Sequence, residues 1–518
     1  MIQGNGLRDA YSATLARIKA QKGSKSRLGM EVLMWLSHSE RPLNANELCQ
    51  ALGVEIGSTD LNSQNIPAIE TLLGCSLGLV TVERSWYTVR LVHYTLQEYL
   101  FNNTDLFQSP QSMIAEVCLT YLNFQSVRDL PLILDRSRRT TLLEYASCHW
   151  GTHARREITE SANTLALRLL DEFDKHISSG ILLSHNRDNW DRELCRSSST
   201  GFTGLHGTAY LGIVETAVAL LEMKKCDLDA TDVEGNTAIS WAARKGHGAV
   251  VKMLLEREDV TSDTTDKGGR TPLLWAVKFG NEDVVRMLLE REDVTPDTAD
   301  EDGRTPLSWA AESGNEDIVR ILLAREDVTP DIVDKEGQTP LLWAAKLENE
   351  EDVKMLLERE DVTPNTADAG GRTPLSWAAS DGYRGIVKMI LEREDVTPDI
   401  ADEDGQTPLL WAAELGNEDV VKMLLEREDV TPDTVDKGGR TPLLWAARGG
   451  HEGIVKALLE RGGVTPDTAD KDGRTPLSWA AKIGNEDAVK MLLEREDVTP
   501  DTADNEGRTP LVGSQKGA

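Results

Sequence analysis

Three short stretches of the sequence contain residue types that could do chemistry. Residues 74–78 (GCSLG) fit the pattern G-x-S-x-G, in which a serine acts as a nucleophile. Residues 23–26 (GSKS) match the end of a phosphate-binding loop, in which backbone N–H groups and a lysine hold a nucleotide. Residues 300–303 (DEDG) carry the acidic side chains that a calcium loop supplies. The sequence therefore offers one candidate each for nucleophilic catalysis, nucleotide binding and calcium binding.

The elements around these stretches do not position them for that chemistry. A nucleophile elbow lies between a strand and a following helix, whereas a helical pattern precedes residues 74–78 and a strand pattern follows them. Residues 23–26 have no glycine-rich lead-in, and G-x-x-x-x-G-K-[ST] occurs nowhere in the chain. Residues 300–303 lack the closing glutamate of a calcium loop, and the nine histidines do not pair with cysteines at zinc spacing. We therefore predict no catalytic residue, no metal site, no cofactor and no enzymatic activity.

Composition narrows the class of protein further. The 518 residues carry 87 acidic and 56 basic side chains, a net charge of −31, and this disfavours nucleic-acid binding because phosphate contacts need clustered Lys and Arg. No run of 18 apolar residues is present, and the first residues contain no apolar segment typical of a secretory signal. The six cysteines, Cys195 among them, form no C-x-x-C pair, which is typical of reduced thiols. We expect a cytoplasmic protein, with the nucleus as the alternative, and with neither membrane nor nucleic acid as a partner.

The acidic charge is concentrated in the second part of the chain, which is a tandem repeat. Residues 1–200 have a net charge of −2, whereas residues 201–518 have a net charge of −29. Thr-Pro, or a close variant, recurs at steps of 34 residues, so that nine full units occupy residues 203–508 and a tenth begins at 509. A fixed period of this length is the signature of a solenoid of stacked units.

The pattern of each unit predicts two short helices and a long turn. In the fourth unit, Thr305 can cap the first helix, Pro306 suits its first position, and Gly314 can end it in the left-handed conformation. Residues 294–303 (VTPDTADEDG) cannot be helical throughout, because proline, glycine and short polar side chains favour turns. Residues 305–323 (TPLSWAAESGNEDIVRILL) resemble the ankyrin repeat, whose signature is T-P-L-H-x-A. The resemblance implies a mostly α-helical ankyrin solenoid that binds other proteins.

Two features depart from the ankyrin pattern. The period is one residue longer than the usual 33, and only His206 keeps the histidine of the signature, so we expect its hydrogen bonding to be rearranged or absent in later units. A tryptophan stands at the next position in eight units, which indicates packing between repeats, with an aromatic binding strip as the alternative. These tryptophans are Trp241, Trp275, Trp309, Trp343, Trp377, Trp411, Trp445 and Trp479.

The two residues that close the first helix vary in charge, size and polarity between otherwise copied units. The ankyrin resemblance implies that this helix end lies on a concave face, beside the turns, where partners bind. We therefore predict protein contacts there, with neutral drift at exposed positions as the alternative. The predicted partner-binding residues are Arg244, Lys245, Lys278, Phe279, Glu312, Ser313, Lys346, Leu347, Ser380, Asp381, Glu414, Leu415, Arg448, Lys482 and Ile483.

The fifth unit, residues 339–372, is irregular. Glu348 replaces the glycine that ends the first helix, and Asp352 replaces the apolar residue that begins the buried stripe of the second helix. An unpaired buried charge costs several kcal/mol, so we expect this helix to rotate or fray until water reaches Asp352. The sequence thus predicts a local weak point in the array.

The pattern of the first two hundred residues predicts a winged-helix domain followed by further helices. Three helical patterns precede an alternating stretch at 80–93, which predicts a hairpin, and a last helix follows it. DNA binding is disfavoured, because residues 42–83 contain no Lys or Arg. The predicted helices lie at 27–37, 44–53, 66–80, 94–101, 112–124, 141–157 and 163–173.

This region resembles the segment just downstream of the NACHT nucleotide-binding module in fungal NOD-like receptors. The motifs are RLGMEVLMWLSHSERPL (27–43), LLGCSLGLVTV (72–82), VRLVHYTLQEYL (89–100) and LEYASCHWGTHARRE (143–157), in the order of that family. The resemblance implies that the winged helix packs on a NACHT module, and that His93 senses bound ADP when such a module is supplied. A structural role for His93 at the end of a strand is the alternative.

The sequence therefore predicts a mostly α-helical chain in four parts. They are an N-terminal helical tail (1–25), a winged-helix domain (26–104), a helical linker domain (105–200) and an ankyrin repeat array (201–518). We expect a non-enzymatic recognition protein of the NOD-like receptor type, either short by nature or truncated. The alternative is a structural scaffold or a relic of such a receptor without activity of its own.

Overall fold

The computed structural model divides the chain into two compact units, residues 1–267 (unit 1) and residues 268–518 (unit 2). The residues that it describes are 3–83, 87–132, 141–184, 199–223 and 226–510. Three sequence features lie outside these ranges: the tip of the predicted hairpin, Cys195 and the end of the tenth repeat. The described elements confirm the predicted architecture, mostly helical with an N-terminal winged helix and a helical repeat.

The N-terminal part of unit 1 has the predicted order of three helices and a hairpin. Strands β1 and β2 pair antiparallel, with Val80 opposite Leu91. Asn44 and Glu47 form a reciprocal cap at the start of α3. The elements are α1 (Gln3–Lys19), α2 (Ser24–His38), α3 (Ala45–Gly53), α4 (Ile69–Cys75), β1 (Val80–Glu83), β2 (Thr88–Leu91) and α5 (Tyr94–Asn102), with 3-10 turns at Ser63–Asn65 and Thr104–Leu106.

Helix α1, which lies in the predicted N-terminal helical tail, packs against α2. Its residues Tyr11, Leu15 and Ile18 are buried. The hydroxyl of Tyr11 lies 2.9 Å from the Thr95 Oγ1 atom on α5. The domain boundary proposed from the sequence at residue 25 therefore separates two helices that share one core.

Five more helices follow and bury a polar network between α6 and α8. His153 Nδ1 donates to Gln111 Oε1 at 2.6 Å, and its Nε2 accepts from the Tyr145 hydroxyl at 2.9 Å. The Glu40 backbone N–H donates to the same hydroxyl at 3.2 Å. Burial lowers the pKa of His153 to about 3, and the positive charge of Arg156 adds to this effect, so the imidazole is neutral. The helices are α6 (Pro110–Leu122), α7 (Gln125–Arg128), α8 (Thr141–Arg156), α9 (Glu160–Leu170) and α10 (Ile177–Ser184), with a 3-10 turn at Phe173–Lys175.

Unit 1 ends with the helices of repeats 1 and 2: Gly204–Leu211, Val214–Glu222, Ala238–Lys245 and Gly248–Leu255. His206 accepts the Thr203 backbone N–H at Nδ1 (3.1 Å) and donates from Nε2 to the Asn236 carbonyl of the next turn (3.0 Å). In repeat 4 of unit 2, Ser308 stands at this position and only reaches Thr305, at 3.1 Å. The expected rearrangement is confirmed there, because serine is too short to link two turns.

Unit 2 repeats one helix pair seven times, for the same local reasons each time. Thr305 accepts the Ser308 backbone N–H, Pro306 occupies the first helical position, and Gly314 ends the helix with φ 66°. The second helix of this repeat buries Ile318, Val319 and Leu322. The pairs are Pro272–Lys278 and Glu282–Leu289, Pro306–Ser313 and Glu316–Leu323, Pro340–Lys346 and Glu350–Leu357, Pro374–Asp381 and Arg384–Leu391, Pro408–Leu415 and Glu418–Leu425, Pro442–Gly449 and Glu452–Glu460, and Pro476–Ile483 and Glu486–Leu493.

Hydrogen bonds at 34-residue intervals join successive repeats of unit 2. At the turn tips, the Lys335 backbone N–H donates to the Asp302 carbonyl at 2.9 Å. At the helix ends, Arg359 donates to the Leu323 carbonyl at 2.9 Å and also holds Asp361 two residues later. These bonds recur along the stack, so no single repeat depends on one contact.

Repeat 5 keeps the shared geometry in spite of its two unusual residues. Glu348 adopts the left-handed conformation of the glycine that it replaces, with φ 62°. Asp352 is fully buried, and neither of its carboxylate oxygens has a hydrogen-bond partner. The expectation that the helix rotates or frays to wet Asp352 is therefore wrong. A rotation would expose Val353 and Leu356, which are completely buried on the same helix.

Candidate functional site

Seven tryptophan–aspartate pairs of the array share one local arrangement. In repeat 4, the Trp309 Nε1–H donates to Asp300 Oδ2 at 3.0 Å, while Asp300 Oδ1 accepts the backbone N–H of Arg304 at 2.9 Å. The aspartate thus fixes both the turn and the ring that follows nine residues later. The same indole–carboxylate bond joins Asp232 to Trp241, Asp334 to Trp343, Asp368 to Trp377, Asp402 to Trp411, Asp436 to Trp445 and Asp470 to Trp479.

In unit 2, lysine and arginine side chains lie over the tryptophan rings. Lys278 Nζ and Arg304 Cζ each lie 3.8 Å from the centre of the Trp309 ring. At Trp377, the corresponding distances are 4.6 Å for Lys346 and 3.6 Å for Arg372. Contacts of this kind are attractive and hold both partners in place. The rings therefore pack within the stack, as the packing interpretation expects.

The variable helix ends lie beside the turn residues that stand eight positions before them. Arg304 contacts Glu312 at 3.2 Å, and Gln406 donates to Glu414 at 2.6 Å. We call these two sets of side chains in unit 2 the helix-end strip. It consists of Arg270, Lys278, Phe279, Arg304, Glu312, Ser313, Gln338, Lys346, Leu347, Arg372, Ser380, Asp381, Gln406, Glu414, Leu415, Arg440, Arg448, Gly449, Arg474, Lys482 and Ile483.

Several cations of the helix-end strip are partly withdrawn from water. Burial lowers the pKa of Lys278, and the nearby charges of Arg270 and Arg304 lower it further. Burial also lowers the pKa of Arg372, although aspartates around it partly oppose this effect. A cation that has lost part of its hydration gains from an anion that can approach it. The strip therefore presents positive charge in a form suited to carboxylate ligands.

Most predicted contact residues of unit 2 reach the surface, and Ser380 is the exception. Ser380 is 6% exposed, and its hydroxyl accepts from Arg372 at 2.7 Å and donates to the Trp377 carbonyl at 2.9 Å. Its role is to hold Arg372, so its assignment as a partner-binding residue is corrected. Its neighbour Asp381 is exposed and remains a candidate contact.

Arg244 and Lys245 belong to repeat 2 in unit 1. The Arg244 guanidinium lies 5.0 Å from the Trp241 ring, and Lys245 Nζ lies 4.4 Å from the Tyr210 ring. Burial lowers the pKa of Lys245 to about 8, and the charge of Arg244 contributes. Arg244 therefore contacts the tryptophan of its own repeat, as Lys346 does at 5.2 Å in unit 2, whereas Lys245 has no cationic counterpart in the repeats of unit 2.

His93 caps α5 in unit 1. Its Nδ1 accepts the Thr95 backbone N–H at 3.3 Å and lies 2.8 Å from the Thr95 hydroxyl. Its ring lies 4.5 Å from the exposed ring of Tyr94, and the side chain itself is exposed. The geometry thus gives His93 a local structural role and places it on an accessible surface.

The remaining motifs show no reactive geometry in the described ranges. Ser76 of the GCSLG stretch is fully buried, and its hydroxyl donates to the Leu72 carbonyl at 2.8 Å. Among the described residues, no three His, Cys, Asp or Glu side chains are grouped so that they could hold a metal ion. The described helices also include none with the length and apolar composition required to cross a membrane.

Two family profiles agree with this architecture. The family profile described as "Ankyrin repeats (3 copies)" matches overlapping segments that together span residues 179–514. A second profile, "GPI inositol-deacylase, winged helix domain", matches residues 15–114. Among solved structures, the ankyrin repeat domain of Bcl-3, described as a unique member of the IkappaB protein family, matches with 27% identity and a TM-score of 0.37, over 41% of this chain and 95% of that chain. The comparison with curated proteins returns no match.

Proposed function

Because the chain belongs to the ankyrin-repeat family, whose repeats form protein-interaction modules, we propose that it is a non-enzymatic intracellular recognition protein that binds its ligand through the helix-end strip. In this proposal the repeated stack is a rigid support, and the variable helix ends select the ligand. Proteins commonly place binding residues on exposed, variable positions of a rigid scaffold.

One observation carries this proposal: variation is concentrated at accessible positions of a scaffold that is otherwise copied. The capping threonine, the buried stripe and the tryptophan–aspartate bond recur through unit 2, whereas the helix ends change. Four of the variable positions expose large apolar side chains, at 45–52% of their surface: Phe279, Leu347, Leu415 and Ile483. Such side chains are typical anchors of a protein interface when they lie in a series.

The test replaces these four residues with serine in the full chain and measures which proteins the chain captures from an extract of its source cells. The matched control replaces Val333, Val435 and Leu493, which are exposed by 46–51% but lie in turns or at the end of a second helix. We expect the first variant to lose its specific ligands and the control to keep them. Equal capture by both variants would mean that the helix ends do not carry recognition.

We further propose that the chain is the sensing part of a NOD-like receptor system, in which the winged helix docks on a nucleotide-binding NACHT module. The winged-helix match supports this arrangement, as does the exposed surface formed by Val92, His93 and Tyr94. Val92 and Tyr94 expose 46% and 68% of their surface on either side of the exposed His93. The recognition event would then serve non-self detection.

This second proposal has its own test. Capture experiments with the full chain should recover a protein with a phosphate-binding loop, and Val92→Ser with Tyr94→Ser should abolish that recovery. Ile56→Ser is the control, because Ile56 is 52% exposed elsewhere on the same domain. A purified chain without the module should not bind ATP or ADP in calorimetry. If no nucleotide-binding protein is recovered while strip-dependent ligands are, the chain acts as a stand-alone scaffold.

A further inference from the structure

The helix-end strip of unit 2 has a period of two repeats. The second helix-end position is apolar and exposed at Phe279, Leu347, Leu415 and Ile483, which are 68 residues apart in sequence. The repeats between them carry Ser313, Asp381 and Gly449 at the same position. Apolar contacts are therefore available on every second repeat and not on the intervening ones.

Positive charge predominates between the apolar positions, where the strip has nine basic residues and three acidic ones, Glu312, Asp381 and Glu414. Lys278 and Arg304 meet over Trp309, and Lys346 and Arg372 meet over Trp377. Near the end of the array, three cations lie within about 5 Å of the Trp479 ring: Arg448, Arg474 and Lys482. The array as a whole has a net charge of −29, so its surface repels anions in general. An anionic ligand is therefore attracted to these cation clusters more than to the rest of the surface.

The spacing of these features selects the conformation of the ligand. Packed helices lie roughly 8–10 Å apart, so apolar positions two repeats apart are separated by about 16–20 Å. An extended chain rises about 3.3 Å per residue and covers that distance in about five or six residues. A helical ligand rises about 1.5 Å per residue, so contacts one repeat apart would fall about six residues apart, on a different side of the helix. An extended ligand presents apolar and acidic side chains alternately to successive repeats over this whole range of spacings.

We propose that the helix-end strip of unit 2 binds an extended acidic polypeptide segment with apolar side chains about six residues apart. This inference rests on the proposed function and adds the class of ligand. The apolar side chains of the segment contact the four exposed apolar positions, and its carboxylates pair with the cation clusters between them. Binding weakens with salt, because most of these ion pairs lie near the surface.

The experiment selects peptides from an unbiased display library of 16-residue sequences against the immobilised full chain. We expect the enriched peptides to be acidic, with apolar residues at a spacing of five to seven. A synthetic copy of an enriched peptide is then titrated against two variants. The first is Lys278→Glu with Lys346→Glu and Lys482→Glu. The control, Lys354→Glu with Lys388→Glu and Lys490→Glu, makes the same change in charge on the second helices.

We expect the strip variant to bind the peptide at least tenfold more weakly and the control to bind it normally. The inference is overturned if no peptide is enriched, if enriched peptides are neutral or basic, or if both variants lose equal affinity. Stronger competition by RNA or polyphosphate than by the peptide also overturns it, since the ligand would then be a different polyanion. If cellular ligands depend on Phe279 and its counterparts but not on the lysines, this inference fails and the proposed function stands.

Discussion

The two units of this chain solve the problem of burying polar groups in different ways. In unit 1, the His153–Tyr145–Gln111 network occurs once and joins two residues of α8 to Gln111, which is 42 residues away from His153 in sequence. In unit 2, six described pairs have the same bond between an aspartate and the tryptophan nine residues later, Asp300 and Trp309 among them. Unit 1 therefore depends on unique contacts, whereas unit 2 divides the same task among many equivalent ones.

The difference predicts how damage spreads in each unit. A repeat contacts only its neighbours, so losing one contact in unit 2 should disturb one or two repeats. A unique network in a compact domain stabilises all the elements that it joins, so losing it should affect them together. Repeat 5 belongs to the periodic unit 2 but contains a unique feature, the buried carboxyl group of Asp352.

The largest effect is expected at Asp352, in repeat 5. Burial raises the pKa of this carboxyl to about 7, and the charges of Glu316 and Glu351 contribute. A folded-state pKa above the unfolded value means that the contribution of this group to stability is lost as pH rises. The free energy of opening should fall by about 1.4 kcal/mol per pH unit between roughly pH 4 and pH 7, about 4 kcal/mol in all. Above that range the loss is complete.

Asp352→Val tests this expectation, because neighbouring repeats hold Val or Ile at the same position. Hydrogen exchange of the Glu350–Leu357 amides, corrected for intrinsic rates, should show a pH-dependent protection in the wild type that the variant lacks. At pH 8 the variant should be the more protected of the two. Protection that does not change between pH 5 and pH 8 in the wild type would show that Asp352 stays neutral or finds a partner.

The next largest effect is expected in unit 1, from Tyr145→Phe. The phenol hydroxyl joins His153 Nε2 and the Glu40 backbone N–H, so its loss leaves one buried and one partly buried polar group without this partner. We expect a cost of about 2–3 kcal/mol. Exchange should quicken together in α2, α6 and α8. Tyr99→Phe is the control, since the Tyr99 hydroxyl only meets the exposed Ser12. Faster exchange confined to the neighbourhood of residue 145 would contradict the cooperative account of unit 1.

The sequence predicted the periodic parts of the fold far better than the unique ones. The Thr-Pro start and Gly end of each first helix act within a few residues, so the helices at Pro306–Ser313 and its counterparts followed directly from the pattern. The tryptophan–aspartate bond was missed, although an aspartate stands nine residues before each tryptophan in the pairs named above. That constant spacing was the available signal, but its meaning depends on how the turn folds back.

The unique features could not be read from a pattern. Tyr145 and His153 are eight residues apart, yet the partner Gln111 lies on another helix, and no periodicity connects the three. The burial of Ser380 was also missed, because its neighbours at the same position in other repeats are larger and reach the surface. At Asp352, the sequence identified an irregular position, but the packing of its apolar neighbours decided its burial.

A smaller effect is expected from Asp300→Asn in unit 2. Asparagine can still accept the backbone N–H of Arg304 through its oxygen, but its amide N–H₂ group cannot accept the Trp309 indole N–H. We expect a loss of about 1–2 kcal/mol, limited to repeat 4 and its immediate neighbours. Hydrogen exchange along unit 2 measures both the size and the reach of the effect. Faster exchange as far away as repeat 9 would show that the repeats are coupled more strongly than the equivalence of their contacts implies.

The smallest effect is expected from Glu348→Gly, which tests the backbone alone. Glu348 is held at φ 62°, a conformation that costs a side-chain-bearing residue about 1 kcal/mol, so glycine should stabilise repeat 5 by that amount. The matched reverse change is Gly484→Ala in repeat 9, because Gly484 has φ 78° and a Cβ atom added there meets nothing within 4 Å. It should lose about 1 kcal/mol from conformation only, whereas Gly314 would add a clash with Asn349. Hydrogen exchange of the adjoining helices should shift in opposite directions in the two variants, by similar amounts. Unequal shifts would mean that Glu348 has gained a compensating contact, and repeat 5 would then be a specialised repeat rather than a weak copy of its neighbours.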